Sequence, residues 1–499
     1  MQPFRAFSSI IFVLLFLNCE EKVSEKTNTA EDTNQTQLAA VSQINSPALP
    51  EINDPLVDID LKEIKKRGKL LALTAYHANS YFIYKGEPRG FEYELLELLA
   101  KHLGVALEIV LVKNLDGIFN DLNEGKGDII AYNLAITKER RKRVGFSEPH
   151  SIIPQVLIQR LPDNWLEMKR HEIDKMLITN PIDLIGKRVH VRKGSSYYSR
   201  LVHLSDEIGG DIEIVEAPGE ISTEELISKV ARGEIDYTIC DDNLARINRL
   251  YHSNIDIGTA ISFPQRIAWA VRKNSPVLEA AVNSWLAQLK SGPIFNVIYN
   301  RYYQDERSIR QRVKSEYFSS NSDKISPYDD IIKTEAQKIN WDWRILASQI
   351  YQESQFDPNA KSWMGARGLM QLMPKVAQEY GVKNITNPSQ NIAAGVGYLK
   401  WLENYWRGIP DSLERMKFIL ASYNAGLGHV QDARKLAQKN KKDPNIWDGN
   451  VAEFMLKKAQ EKYYTDEVVE FGYCRGEEPV NYVMEIFDRY EHYQKFITL

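Results

Sequence analysis

Cysteine is scarce, with three among 499 residues. That excludes a disulfide-stapled scaffold, and without any HExxH or CxxC spacing it leaves no metal or thiol redox centre to propose. Cys240 and Cys474 fall in regions of different pattern and read as buried free thiols. Excess charge of either sign is also missing. A net charge of −4 argues against a nucleic-acid partner. Past the N-terminus no apolar run is long enough to span a bilayer. With 43% hydrophobic and 26% charged residues the composition is ordinary for a globular protein, and the length calls for two or three domains.

The first residues form a targeting segment. Arg5 supplies the positive region, and 10–17 is an apolar run of signal-peptide length, so a signal peptide is expected over 1–18. From Glu20 to about Pro55 the chain is rich in Ser, Thr, Asn, Gln and Glu, and 19–55 reads as a disordered tether. The run Phe16-Leu17-Asn18-Cys19 resembles a bacterial lipoprotein signal. The resemblance implies that Cys19 is lipidated and becomes the mature N-terminus. It also implies a membrane-anchored lipoprotein at the periplasmic face of the cell envelope, on the outer membrane. A plain secretory signal or a short anchor is the alternative.

Over residues 56–303, short apolar strands alternate with amphipathic helices. LLALTAY (70–76), LEIVLV (107–112) and GDIIAYNLA (127–135) read as strands, and GFEYELLELLAKHLG (90–104) as a helix. A second set follows in KRVHVRKGSSYY (187–198), IEIVEA (212–217) and EIDYTICDD (234–242), and IAWAVRK (267–273) returns to the first. This rhythm predicts a two-lobed α/β module with ligand sites at strand ends. Gly90-Phe91-Glu92-Tyr93-Glu94, Ile136-Thr137-Lys138-Glu139-Arg140, Phe146-Ser147-Glu148-Pro149, Gly194-Ser195-Ser196 and Asp241 resemble the periplasmic solute-binding proteins for amino acids. The resemblance implies that Arg140 clamps a ligand carboxylate, a task for a planar bidentate donor. It implies that Ser195 and Ser196, at a turn opening a helix, add donors to the same anion, and that Asp241 pairs the ligand's ammonium. Arg141 and Asp242 are alternatives for Arg140 and Asp241, and ERRKR (139–143) also fits a solvated charged face. Tyr76 and Tyr81 read equally as ligand-stacking or as core aromatics. A module that has lost binding and acts as a spacer is the competing reading.

Residues 304–325, QDERSIRQRVKSEYFSSNSDKI, are polar and serine-rich and read as a linker. Beyond them, 326–499 is helical almost throughout, with helices expected near 327–339, 341–354, 374–380, 391–406 and 413–423. Glu353 stands in the last turn of the second. Leu346, Ile350 and Glu353 fall at i, i+4 and i+7 and share one face. Desolvation and the negative end of the helix dipole both disfavour a charged carboxylate there, pushing its pKa toward what a general acid needs. Position alone fits a capping or surface glutamate better; the surrounding stretch decides otherwise.

That stretch, ESQFDPNAKSWMGARGLMQLMP (353–374), resembles the signature of the Slt-type lytic transglycosylases, enzymes of lysozyme-like fold that cut peptidoglycan. Glu353, Ser354, Phe356, Pro358, Ser362, Gly365, Ala366, Gly368-Leu369-Met370-Gln371, Met373 and Pro374 stand in the family's order and spacing. Ala421-Ser422-Tyr423-Asn424-Ala425-Gly426 and Glu478-Pro479-Val480-Asn481-Tyr482-Val483 resemble its second and closing motifs. FGYCRGEE (471–478) and GHVQDARKL (428–436) resemble one branch, membrane-bound lytic murein transglycosylase F, which joins a solute-binding-like module to an Slt-type domain in this order. The resemblance implies a catalytic Glu353, with Ser354 and Tyr482 as hydrogen-bonding neighbours. It puts Gln371, Tyr423 and Asn424 on the glycan and has Met370 shaping the groove. Peptidoglycan strands are the expected partner, an amino acid or muropeptide the expected ligand of the first module. No metal and no organic cofactor is expected.

Hydrolytic glycosidases ordinarily use two carboxylates. Glu353 is the one convincing candidate, since Pro358 and turn chemistry account for Asp357. A single acid suffices if the substrate supplies the nucleophile. In lytic transglycosylases the muramic acid 6-hydroxyl attacks its own anomeric carbon and leaves a 1,6-anhydro end. The expected activity is non-hydrolytic cleavage of the MurNAc–GlcNAc β-1,4 bond, regulated by a small ligand. A hydrolytic muramidase and a non-enzymatic amino-acid or muropeptide receptor are the alternatives.

Overall fold

The computed structural model describes residues 57–75, 79–112, 117–218, 221–320 and 322–498. The expectations for 1–18, for Cys19 and the tether to 55, and for Tyr76 lie outside the described residues. Within them the expected two-lobed α/β module is followed by a mainly helical domain.

The first lobe is built on a sheet whose strands run in the order Ala106–Leu111, Lys69–Thr74, Ile129–Ala135, Gln265–Val271, Gly145–Phe146, with Ser151–Ile153 also paired to Gln265–Val271. The first three are parallel, and Leu70, Ala72, Leu73, Ile129 and Ile130 are fully buried, as continuous apolar strands covered by helices on both faces require. The return of 267–273 to this lobe is confirmed by its antiparallel pairing with Ile129–Ala135. The second lobe carries the order Glu213–Ala217, Arg188–Arg192, Tyr237–Asp241, Gln155–Arg160, Ile255–Asp256. The chain passes between lobes on two neighbouring segments, with Gln265 paired opposite Ile153 and Ile261 N–H bonded to Gln155 O at 2.9 Å.

The segment expected as a linker, 304–325, is structured. Glu306–Val313 is a helix whose N-cap, Asp305, accepts from the Ser308 amide at 3.1 Å. Its buried face is Ile309, Arg312 and Val313, at i, i+3 and i+4, too short a stripe to stand out among so many charges. The Arg312 guanidinium lies 4.9 Å from the Phe82 ring and donates to Asn79 Oδ1 at 3.0 Å. Residues beyond it run along the hairpin formed by Phe82–Tyr84 and Glu87–Arg89, with Lys85 N–H to Tyr317 O and Ser319 N–H to Ile83 O, both 2.9 Å.

That hairpin stitches the module to the helical domain. Tyr81 and Phe82 belong to the core of the first lobe, whereas Ile83 packs in the core of the helical domain. At its tip Gly86 has φ 81°, and a Cβ there would stand 2.5 Å from the Phe356 ring and 2.9 Å from Tyr351, so only glycine admits this approach. Gly86 O accepts from the Tyr493 hydroxyl at 2.5 Å. Tyr81 is fully buried, hydrogen-bonded to His492 Nδ1 and 4.8 Å from Phe496, which makes it a core aromatic and not a ligand platform.

In the helical domain the glutamate helix, Trp343–Ser354, packs against the C-terminal helix, Glu477–Phe496, which also packs on Ser412–Ala425. Leu346 and Ile350 are fully buried on the predicted face. Cys240 and Cys474 are both free and buried.

Candidate active site

The glutamate helix starts at Asp342, which accepts from the Arg344 amide at 2.9 Å and ion-pairs with its guanidinium; Arg344 Nη1 in turn donates to Ile497 O at 2.7 Å. It ends abruptly. Gln355 and Phe356 both take left-handed conformations, with φ 51° and 64°, which non-glycine residues adopt only when their surroundings hold them. Buried Phe356 packs edge-on against Tyr351 at 5.7 Å and fixes this turn. Asp357 Oδ1 accepts from Asn359 N–H at 2.9 Å, the turn role expected of it.

Glu353 sits just before this break, half-buried. The C-terminal helix brings the Tyr482 hydroxyl to it, donating to Glu353 Oε1 at 2.5 Å, and Gln349 Nε2 donates to the same hydroxyl at 3.2 Å. Burial moves the carboxyl pKa from the ordinary 4.5 up to about 7; the Tyr482 bond opposes that rise, and the negative charge of Glu478 adds to it. Glu478 is exposed, one turn before Tyr482 on the same helix.

The loop after the break closes over the glutamate helix. Ser354 Oγ is buried and donates to Ile350 O at 3.1 Å and Leu369 O at 2.8 Å, so it fastens the loop to the helix. Met370 is fully buried, beneath Gly395, where a Cβ would reach its sulfur at 2.3 Å. Both lie closed to a glycan, Ser354 holding the loop and Met370 filling the space beneath it. Gln371 is partly exposed at φ 46°, with Nε2 donating to Gly368 O at 2.9 Å and Ala360 O at 3.1 Å. Tyr423 is partly exposed, donates to Met370 O at 2.7 Å and feels the charge of Glu353; Asn424 beside it is also partly exposed. The structure therefore brings Tyr482 and Tyr423 to Glu353, with Gln371 and Asn424 next in the chain to Met370 and Tyr423.

Two polar residues there escaped the sequence reading. Gln349 stands four residues before Glu353 on the same helix face, a spacing that marks it in retrospect. Asn391, fully buried, accepts from Met370 N–H at 2.8 Å and donates to Ile385 O and Arg367 O. A Cβ at Gly368 would stand 2.3 Å from its amide, so Gly368 is the glycine that lets the loop close.

In the first module, the structure separates the paired alternatives. Arg141 is exposed, whereas the Arg140 guanidinium is turned inward, donates to Ala135 O at 2.9 Å, and has its charge disfavoured by burial but supported by Tyr197, Asp241 and Tyr132. Asp242 pairs with Arg246 at 2.7 Å; Asp241 is buried and accepts from Asn133 Nδ2 at 2.6 Å, a bond that joins the two lobes. Ser195 is the N-cap of the helix Ser196–Ile208 and donates to Arg192 O at 2.6 Å; Ser196 Oγ accepts from Gln155 Nε2 at 3.4 Å. Arg140 and Asp241 thus share the interlobe cleft, with Asn133 and Tyr132 as members that the sequence did not reveal.

Two family models match the chain: bacterial extracellular solute-binding proteins, family 3, over residues 70–305, and the transglycosylase SLT domain over 330–446. A membrane-bound lytic murein transglycosylase F of Desulfosudis oleivorans is 38% identical over 86% of this chain and 91% of its own length. Its namesake in Pseudomonas fluorescens is 31% identical over 86% of each chain. Among solved structures, the ancestral amino acid-binding protein AncCDT-1, a precursor of cyclohexadienyl dehydratase, is 28% identical, covering 49% of this chain and 99% of its own with a TM-score of 0.40.

Proposed function

The chain belongs to the membrane-bound lytic murein transglycosylase F family, and from that premise we propose that it cleaves the MurNAc–GlcNAc β-1,4 bond of peptidoglycan without water, using Glu353 alone as acid and base. The observation that carries this reading is a half-buried carboxyl with a pKa of about 7, held by one tyrosine. At neutral pH a large fraction of it is protonated. Glu353 gives its proton to the bridging oxygen as the bond to the muramic acid anomeric carbon breaks. The 6-hydroxyl oxygen of the same sugar bonds to that carbon and returns its proton to Glu353. The products are a free GlcNAc 4-hydroxyl and a 1,6-anhydro-muramic end. Holding the 6-hydroxyl beside its target is a proximity effect, worth several kcal/mol of barrier. Tyr482 orients the carboxylate, and Gln371, Tyr423 and Asn424 bind the sugars flanking the bond.

The hydrolytic reading has one observation in its favour: Glu478 is a second carboxylate whose charge reaches Glu353. Its exposure at the helix start disfavours it as a water-activating base. Mass spectrometry of products from purified sacculi decides. Anhydro ends are expected, and ends heavier by one water would overturn the proposal. Glu353→Gln should release neither.

The first module takes a small zwitterion, an amino acid or a muropeptide stem, with Arg140 on its carboxylate and Asp241 on its ammonium. Such an ammonium competes with Asn133 for Asp241 and so acts where the lobes meet. The hairpin tip at Gly86, against Tyr351, Phe356 and Tyr493, is the route by which lobe movement reaches the glutamate helix. Turnover of sacculi that is identical with and without each amino acid and muropeptide bound by the module would refute this. Lipidation of Cys19 would hold the enzyme at the periplasmic face of the envelope, on the outer membrane, which labelling of wild type against Cys19→Ala tests.

A further inference from the structure

We infer that the rings of Tyr423, Tyr398, Trp401 and Tyr405 form a stacking track that carries a β-1,4-linked N-acetylated aminosugar strand away from Glu353. The inference deepens the function proposed above and rests on it for the identity of the strand. Its basis is a continuous row of aromatic rings. Tyr423, beside Glu353 and Tyr482, has its ring 5.4 Å from that of Tyr398. Tyr398 lies 5.7 Å from Trp401 with an interplanar angle of 13°, and Trp401 lies 6.4 Å from Tyr405 at 32°. Each step is close to the span of one pyranose ring.

Tyr398, Trp401 and Tyr405 occupy i, i+3 and i+7 of the helix Pro388–Trp406 and so line one face. The opposite face supplies the core through Ile392, Val396, Leu399 and Leu402, all essentially buried. On the aromatic face Tyr398 still packs against that core, and the two rings beyond it are open: Trp401 is 48% exposed and Tyr405 43%. Large side chains on a core-facing stripe would be covered, whereas Trp401 and Tyr405 stay nearly half exposed, tilted 32° to each other. Gly397, on the same helix, shows that the row has a constructed neighbour. A Cβ there would come within 2.7 Å of the Tyr380 ring, so the glycine seats that ring against the helix, itself 39% exposed.

The chemistry that fits such a row is a sugar with equatorial substituents. A β-1,4-linked pyranose with equatorial substituents carries its axial C–H bonds on both faces, so each face is an apolar patch of slightly positive hydrogens. The negative face of an aromatic ring attracts it. Continuity from the catalytic glutamate outward selects a polymer that enters the groove over a free protein partner, which would have no reason to follow the row inward to Tyr423.

The test uses full-length protein with Glu353→Gln, so that nothing is cleaved, and N-acetylglucosamine oligomers of two to six sugars, followed by tryptophan fluorescence and calorimetry. Affinity is expected to rise with oligomer length. Trp401→Ala should weaken hexamer binding about tenfold and Tyr405→Ala somewhat less, about the worth of one aromatic contact. Trp401→Phe should recover most of the loss, which a merely structural role for the indole would not predict. Length-independent affinity, or hexamer binding unchanged by Trp401→Ala, would overturn the inference; the latter is also the outcome expected if this face serves another protein. Product analysis on sacculi is read separately. Wild type that yields no anhydro ends while oligomer binding still depends on Trp401 refutes the reaction and leaves the track standing.

Discussion

Replacing Glu353 by glutamine should stabilise the protein, and only at high pH. The argument is one of linkage. The carboxyl's pKa is about 7 in the folded chain and near the ordinary 4.5 when the chain is unfolded. Below pH 4.5 both states hold the proton, and the group costs nothing. Between 4.5 and about 7 the unfolded chain ionises freely while the folded one resists, so stability falls by about 1.4 kcal/mol per pH unit. Above 7 both are ionised, and the loss is constant at about 3 kcal/mol, an upper figure because the carboxyl is half-buried and water screens part of its charge. Glutamine keeps an oxygen to accept from the Tyr482 hydroxyl and carries no charge to desolvate. The helical domain of Glu353→Gln should therefore melt with wild type at pH 4 and several degrees above it at pH 8, as followed by calorimetry. Equal melting at both pH values, or a variant less stable at pH 8, would refute the claim that burial of this carboxyl governs its acidity. The same substitution removes the acid, so stability gained and activity lost would come from one atom.

Two further predictions concern other residues. The alkaline limb of kcat/KM should lie near pH 7 and move in opposite directions in two variants. Tyr482→Phe removes a donor that favours the carboxylate and shifts the limb up, while Glu478→Gln removes a like charge and shifts it down; pH profiles on soluble glycan read both. Lys458→Met should destabilise by roughly 3–5 kcal/mol, because Asp432, fully buried and 2.7 Å from Lys458 Nζ, would lose its counter-charge. Denaturant titration measures this, and an unchanged midpoint would show that the Glu470 and Phe471 amides, both 2.9 Å from Asp432, suffice to hold it.

How much of the fold could be read from the chain follows from how local each signal is. The strands of the module were legible because a parallel sheet covered on both faces needs unbroken apolar runs, as in Leu70–Leu73 and Ile129–Ala131. The helix Glu306–Val313 was not, because its buried face includes an arginine. Arg312 counts as polar in any pattern, yet it spends its charge on the faces of Phe82, Tyr302 and Phe318. The hairpin stitch was invisible for another reason. Ile83 and Phe82 look alike in sequence, and only the assembled structure shows that they serve two different cores.

The active site divides along the same line. The place of Glu353 on an apolar helix face could be read from the chain, although position alone fits a capping or surface glutamate better and the motif around it decides. Its partner could not: Tyr482 lies 129 residues away, and nothing near it in the chain says that its hydroxyl meets a carboxyl rather than a core cavity. Motif resemblance bridged that gap, but it did not say what each residue touches. Ser354 and Met370 sit among the best-matching positions, yet one ties a loop down and the other fills the space beneath Gly395. A signature records every residue that the loop needs in order to close, whether it faces the substrate or holds from behind those that do. Burial separates the two kinds: Ser354 and Met370 are buried, while Gln371, Tyr423 and Asn424 keep an open side. Under the proposed function, the residues left open to a glycan are those where the motif meets partial exposure, and the exposed rings of Trp401 and Tyr405 would extend that surface beyond the motif.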